Sequence, residues 1–541
     1  MTIRPTRLSP TDWTAKRVFR GRTSGSFLDE CVQAVPDEEA LIEGSHRLTY
    51  AQLGAASATM AAGLSRLGAG PGDVVTMQLP NWWEASVVYQ ALCRLGCVVN
   101  PVVPIYRQRE LGFIIEQATP RAIVIPHRFR GFDYVAMVDQ LLAGAGDRPA
   151  VVVVRAEGEL PEGFVAAEAL LSGPSSPVPP EAADPDDICL LLYTSGTTAD
   201  PKGVLHSHNT LVYEVSSIID ICAVDRADTV FMPSPVTHIT GFLFGLLMPP
   251  MLGMKAVFLD VWDPATAVDV VERETCRFTM GATPFLHGMV DEHLRRGHPS
   301  ALTLFMCGGA DVPPPLVRQA AKVLDAHVAR IYGSSEFPTF CCGRPGDDLD
   351  VCADTDGMPL GPVECRLDNE TDGVGELLVK GPELFAGYLD ASLNDAAFSS
   401  DGYFRTGDLA SLDSRGAVTI RGRQKDIIVR GGENISAKEV EDVLFSHPLV
   451  SEVAVVAMPD PVLVERVCAF VVPVAGGELT LADLVVFLDG VGLARQKYPE
   501  RLELVAELPT TASGKVQKFV LRQLLADRLA RGEEHPAGSP R

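Results

Sequence analysis

Thr194, Ser195, Thr197 and Thr198 crowd around Gly196 in LLYTSGTTADPKGVLHSHNT, the stretch from Leu191 to Thr210, and Lys202 follows them. Hydroxyls, unhindered backbone N–H groups and an ammonium are the groups that hold a phosphate chain. The common nucleoside-triphosphatase loop also sets a glycine directly before its lysine and a Ser or Thr directly after it, to reach Mg²⁺. Here Pro201 precedes Lys202 and Gly203 follows it, so this is another kind of loop. Read alone, its hydroxyls could equally cap the next helix. Four further places put reactive side chains on small-residue turns. IYGSSE (331–336) ends a strand and carries Tyr332, Gly333, Ser334, Ser335 and Glu336. DGYFRTGDLASLDSRGAVTIRGRQKD (401–426) holds Asp408, Arg423 and Lys425. GGENISAKEVE (431–441) opens a helix behind Gly431 and Gly432, and PTTASGKVQK (509–518) places Lys515 on a loop near the C-terminus.

A chain of 541 residues is too long for one hydrophobic core, so two or more domains must position these groups. The formal net charge of −24 argues against nucleic-acid and anionic-membrane surfaces, which reward Lys and Arg, and an anionic substrate then needs a local cationic site. The 12 cysteines show no C-x-x-C pair, so they read as buried free thiols of a reducing cytosol rather than zinc ligands. MTIRPTRLSPTDW lacks the apolar core of a signal peptide. GFLFGLLMPPMLGM, broken by Pro249 and Pro250, is too short for a bilayer helix. A cytoplasmic protein without stable membrane insertion is expected.

Strand-like runs at 72–79, 97–104, 121–126 and 150–155 alternate with helical patterns such as 82–96, the habit of βαβ units and a parallel sheet. A second alternation covers 228–335. SGPSSPVPPEAADPDD (172–187) reads as an exposed connection, and the phosphate-type loop follows, between the apolar run 188–193 and a helix from about Asn209. After about residue 375, short strands punctuated by glycine suggest antiparallel hairpins, and from about 436 a small α+β unit follows. The last ten or so residues are expected to fray.

Those five stretches, in this order and spacing, resemble the adenylate-forming superfamily of acyl- and aryl-CoA synthetases, stand-alone adenylation domains and beetle luciferases. The resemblance runs from LTYAQL (48–53) to Lys515, and the N-terminal part is similar to the branch of cyclohexanecarboxylate or medium-chain acyl-CoA ligases. It implies an α/β fold: a large N-terminal domain of several subdomains and mostly parallel sheets (1–424), a small hinged α+β domain (425–528) and a flexible tail (529–541). It implies ATP, Mg²⁺ and CoA, a small-molecule carboxylic acid, no nucleic acid, and a monomer or homodimer. Thr194 to Thr198 and Lys202 would hold the β- and γ-phosphates, Tyr332 would lie on the adenine, and Glu336 would hold Mg²⁺. Gly309, Ala310, Gly333, Ser334 and Ser335 would complete the nucleotide site. Asp408 would accept both ribose hydroxyls, with Arg423 beside them. Lys515 would bridge the substrate carboxylate and the α-phosphate. Lys425 would be the hinge, Gly431 and Gly432 would line the pantetheine channel, and His238 would gate the acyl pocket.

The chemistry asks for these types. A carboxylate attacking ATP brings two anions together, which Mg²⁺ and one lysine can neutralise. Two neighbouring hydroxyls suit one carboxylate acceptor. Each residue has a plainer reading: Lys515 as an exposed lysine, Glu336 as a helix-start acid, Asp408 as a turn residue, His238 as a satisfied core histidine. His206 and His208 have the spacing of a metal pair on a strand, but no third ligand, and read as structural.

Three positions depart from the family pattern: Ala199 and Val464 replace glycines, and Ser335 replaces a threonine. The acyl pocket is expected behind His238, with Phe242 as bulk and Gly241, Gly245, Gly308, Gly309 and Ala310 leaving room. No acid is placed to meet an amino group, so a largely apolar acid, alicyclic, aromatic or polycyclic, is expected. The alternatives are loading of a carrier protein, or a variant with impaired adenylation that mainly performs thioesterification. Arg430 and Lys438 are candidates for the 3′-phosphate of CoA.

Overall fold

The computed structural model of the chain describes residues 3–7, 13–144, 146, 148–173, 183–194, 201–430, 433–511 and 514–531. Val74–Met77, Val98–Pro101 and Ala122–Pro126 are apolar runs buried at every position, as a parallel sheet covered on both faces requires. With Ala150–Val154, Phe164–Ala166, Ile188–Thr194 and Lys202–Ser207 they form a seven-stranded sheet. Only its Ile188–Thr194 and Lys202–Ser207 pair is antiparallel among the described residues.

A nine-stranded sheet has a parallel centre made of Glu39–Glu43, Lys255–Phe258, Thr229–Met232, Phe278–Gly281, Leu304–Gly308 and His327–Tyr332. One apolar core spans both sheets, taking in Val75 and Val99 from one, Val230 and Met280 from the other, and Leu92 of the helix Trp83–Arg94. The strands Glu364–Thr371, Val374–Lys380, Phe404–Leu412 and Val418–Arg423 make an antiparallel sheet. After a single turn at Gln424–Asp426, a last sheet of Ile427–Arg430, Glu433–Ser436, Val450–Asp460, Val464–Pro473 and Arg501–Leu504 packs against the helices Ala437–Phe445, Leu481–Gly490 and Lys518–Ala530. The fold is thus a large N-terminal domain of mostly parallel sheets with a smaller C-terminal domain.

The sequence reading placed no strand between the loop and the helix His208–Cys222, yet Lys202–Ser207 is one: Val204 and Leu205 are fully buried against Ile188–Thr194. The final helix runs to Ala530, so residues 529 and 530 belong to it rather than to a tail. Residues 532–541 lie outside the described residues, as does the 174–182 part of the expected connection. Every cysteine is a free thiol. Among the described residues, no helix is long and apolar enough to cross a membrane. Val464, where the family pattern has glycine, adopts φ +70°. A β-branched residue in this left-handed region costs about 1–2 kcal/mol.

Two acids are buried in the core. Glu214 and Glu383 are 0% exposed and neither carboxylate has a hydrogen-bond partner among the described residues; Thr339 approaches Glu214 without reaching hydrogen-bonding geometry. Burial pushes Glu214 up to about 8, and burial followed by the Glu214 charge raises Glu383 as well. The folded chain therefore keeps a proton that the unfolded chain releases, and stability falls as pH rises from the ordinary carboxyl range toward 8. Glu214→Gln is expected to change stability little near pH 5 and to add about 3 kcal/mol near pH 8, read by denaturant unfolding at both. An equal effect at the two pH values would show that the carboxyl is not held protonated.

Candidate active site

A cavity of about 850 Å³ opens where the large sheets, the antiparallel sheet and the loop 509–515 meet. Along one wall, register fixes the phosphate-type loop at its ends: Thr194 stands opposite Lys202 on the hairpin, and both line the cavity. Ser195, Gly196, Thr197, Thr198 and Ala199 lie outside the described residues, as do Gly431 and Gly432.

The strand His327–Tyr332 delivers the next group. A Cβ on Gly333 would come within 1.9 Å of the Pro338 carbonyl oxygen, so only glycine allows the turn that follows. Ser334 N–H donates to the Phe337 carbonyl at 2.9 Å, and His206 donates from Nε2 to the Ser335 carbonyl at 2.7 Å. Burial lowers His206 to about 4, so it is neutral, and His208 accepts at Nδ1 from the Ser24 amide at 3.1 Å. Both histidines are engaged in hydrogen bonds within the chain. The turn presents Glu336 to the cavity, where Tyr388 O–H donates to its Oε1 at 2.8 Å and Lys202 Nζ lies 5.2 Å from the Tyr388 ring centre.

Asp408 is 6% exposed and doubly held: Tyr332 O–H donates to Oδ2 at 2.6 Å and Arg423 Nε contacts Oδ1 at 3.0 Å. The two strands that carry Asp408 and Arg423 pair those residues directly. Thr406 Oγ1 accepts from the Asp408 amide at 3.1 Å. Burial of Tyr332 and the Asp408 charge raise the phenol well above its usual range. Tyr332 and Ala310 line a second cavity of about 630 Å³, which shares Gly309, Gly333, Asp408, Arg423, Lys425 and Lys515 with the first.

Lys515 reaches this shared wall from the small domain. Its amide donates to Thr511 Oγ1 at 3.1 Å and its carbonyl accepts from the Thr511 amide at 2.8 Å, closing a tight turn. Gly514 in that turn has φ +80°, and a Cβ there would approach Pro284 Cγ at 2.9 Å, so the loop is seated on the large domain. Enclosure in the cavity and then the Arg423 charge push Lys515 down to about 7, against Asp408 and Glu336. Across the cavity, burial and the Lys515 charge lower His238 to about 4.

Not every expected residue sits where the sequence suggested. Phe242 packs edge-on against Tyr89, at 5.0 Å between ring centres, and Ile239, Thr240, Leu243 and Phe244 face the cavity instead. Gly241 and Gly245 leave no room there; their Cβ positions are filled by the Pro235 carbonyl and by Met232. Arg430 pairs with Glu500 at 2.8 Å, and Lys438 with Asp311 and Asp442, so neither stands as a spare cation. Tyr388, Thr406 and His206 were missed as site residues. Thr237 and Tyr193 line the first cavity, and their hydroxyl oxygens are buried without a hydrogen-bond partner among the described residues.

A profile of the AMP-binding enzyme family matches residues 28–389, and one of the AMP-binding enzyme C-terminal domain matches residues 439–515. A medium-chain fatty-acid–CoA ligase of Escherichia coli (strain K12) is 32% identical over 93% of this chain and 90% of its own length. A salicyl-AMP ligase / salicyl-S-ArCP synthetase of Mycobacterium tuberculosis is 34% identical over 95% of this chain and 92% of its own. The crystal structure of ATP-bound MatB from Rhodopseudomonas palustris superposes with a TM-score of 0.82 at 27% identity, covering 94% of this chain and 99% of that one. With its fold, its paired cavities and relatives matched along nearly their whole length, the chain belongs to the AMP-binding enzyme family.

Proposed function

We propose that the chain is an AMP-forming carboxylate–CoA ligase acting on a largely apolar acid. The observation that carries this reading is the convergence of Lys202, Glu336, Asp408, Arg423 and Lys515 on one cavity whose opposite wall holds Ile239, Leu243, Phe244 and Met280. A nucleotide would cross the shared wall, its base beside Tyr332 and Ala310, its ribose on Asp408 and its phosphates toward Lys202 and the loop after Thr194. The acid would lie past His238, which its lowered pKa keeps neutral. A carboxylate oxygen attacks the α-phosphorus, the bond to the β-phosphate oxygen breaks, and pyrophosphate leaves. Lys515 neutralises the charge that gathers on the α-phosphate. Glu336 offers the hard oxygen that suits Mg²⁺, which when bound would offset phosphate charge.

A thiol then displaces AMP to give the thioester. The small domain, which we place from Lys425 to the end of the final helix at Ala530 with its hinge at Lys425, would move to admit that thiol through a channel at Gly431 and Gly432. Free CoA is the proposed acceptor. The salicyl-S-ArCP synthetase named above supports a second reading, in which a carrier protein supplies the thiol.

The test is carboxylate-dependent exchange of labelled pyrophosphate into ATP over aliphatic, alicyclic, aromatic and polycyclic acids, followed by thioester formation with CoA. Exchange with an apolar acid and thioester with CoA alone are expected. Exchange without any CoA thioester would favour the carrier protein. If there is no exchange, but thioester forms from supplied acyl-AMP, the impaired-adenylation variant would be favoured. Neither half-reaction on any acid would overturn the reading.

A further inference from the structure

Away from these cavities, the helices Pro264–Glu274 and Thr283–Arg296 and the turn after them gather Glu272, His293 and His298. One ligand-capable atom of each lies within 4.8 Å of the other two. His293 is 1% exposed, and its Nε2 is buried with no hydrogen-bond partner among the described residues. Its Nδ1 faces the His298 carbonyl at 3.1 Å. A carbonyl only accepts, so Nδ1 carries the proton and Nε2 presents a lone pair. His298 repeats the pattern, with Nδ1 2.9 Å from the Pro299 carbonyl. Glu272 is half-buried and accepts at Oε1 from the Ala301 amide at 3.0 Å, which ties the turn to the first helix. The neighbouring guanidiniums are engaged elsewhere, Arg273 on Glu274 and Arg296 on Glu292 and Asp269.

Metal-ligating histidines typically donate their second ring N–H to a carbonyl or carboxylate, which fixes the tautomer that offers the other nitrogen. Both histidines here are fixed in that way. A buried imidazole nitrogen left unpaired is costly, and a cation removes the cost. Two imidazoles and one carboxylate suit a borderline divalent transition metal, whereas Ca²⁺ and Mg²⁺ take oxygen sets. We propose that Glu272, His293 and His298 bind such an ion, Zn²⁺ foremost, with the exposed side of His298 open to water. The ion would clamp the C-terminal end of the helix whose N-terminal end carries Pro284, the residue against which the Lys515 loop rests.

The test uses the full chain, titrated with Zn²⁺ by calorimetry, and with Co²⁺ for its visible absorption. His298→Ala alters an exposed side chain, and Glu272→Gln keeps the shape of the acid; circular dichroism checks both folds. Wild type is expected to bind one more Zn²⁺ than His298→Ala, or the same number at least about 10-fold more tightly, with a parallel loss in Glu272→Gln. Absorption of a four-coordinate Co²⁺ site should appear in wild type and vanish in both variants. Cysteine binding is common to all three proteins and cancels in the comparison. Equal stoichiometry and affinity in the three proteins would overturn the proposal, as would a wild-type Co²⁺ spectrum unchanged in the variants.

Discussion

Lys515→Ala is expected to lower carboxylate-dependent pyrophosphate exchange about 10²–10³-fold, the usual loss when a preorganised charge-stabilising group is removed. The turn closed by Thr511 and seated on Pro284 holds this lysine in the wall common to both cavities. Lys438 cannot take its place, because it is paired with Asp311 and Asp442. The free site keeps Lys515 near neutrality, at about 7, through enclosure and the Arg423 charge. A triphosphate would raise it again, so the full ammonium forms where negative charge arrives. Folding should not suffer, since a lysine with a lowered pKa contributes no favourable charge to the folded state at neutral pH. Thioester formation from supplied acyl-AMP should fall less than about 10-fold, because the mixed anhydride is already activated and asks less of a cation. An exchange rate within a few-fold of wild type would remove Lys515 from the mechanism. Equal losses in both half-reactions would remove its assignment to the first step.

The charged members of this site were legible in the sequence because each stands in a short motif containing glycine or serine, although Lys202, Asp408 and Arg423 lie on strands rather than turns. Their supports were not. His206 fixes the Ser335 carbonyl across 129 positions, and Tyr388 reaches Glu336 across 52, separations at which no local pattern exists. Arg430 looked like a spare cation for the same reason, since its counter-charge Glu500 is distant in sequence and adjacent in space; Lys438 meets the distant Asp311 as well as Asp442 one helical turn away. The parallel strands were legible because runs such as AIVIP are buried on both faces, while KGVLHS, half polar in composition, concealed an edge strand. Phe242 was misplaced by helix geometry. Residues Phe242–Leu247 form a π-helical turn, whose wider spacing shifts which side chains face the cavity. Leu243 and Phe244 take that face, and Phe242 turns to Tyr89.

Asp408→Asn should raise the KM for ATP about 10–100-fold, because charge-assisted hydrogen bonds to a carboxylate contribute about 1.5–3 kcal/mol and the amide keeps a single acceptor oxygen. In the free protein the two carboxylate oxygens already hold Arg423 and Tyr332, at 3.0 and 2.6 Å. Losing them should also lower stability by about 1–3 kcal/mol, read by denaturant unfolding. Those two effects must be separated, since a weakened Arg423 would by itself slow ATP binding. Deoxy-ATP analogues separate them. If Asp408 accepts both ribose hydroxyls, wild type loses about 10-fold with 2′-deoxy- or 3′-deoxy-ATP, and the variant loses little further with either, as a double-mutant cycle requires of a direct contact. Each analogue penalising the variant as much as wild type would mean that Asp408 acts only through Arg423 and Tyr332. The ribose would then have to be held by another residue of the shared wall.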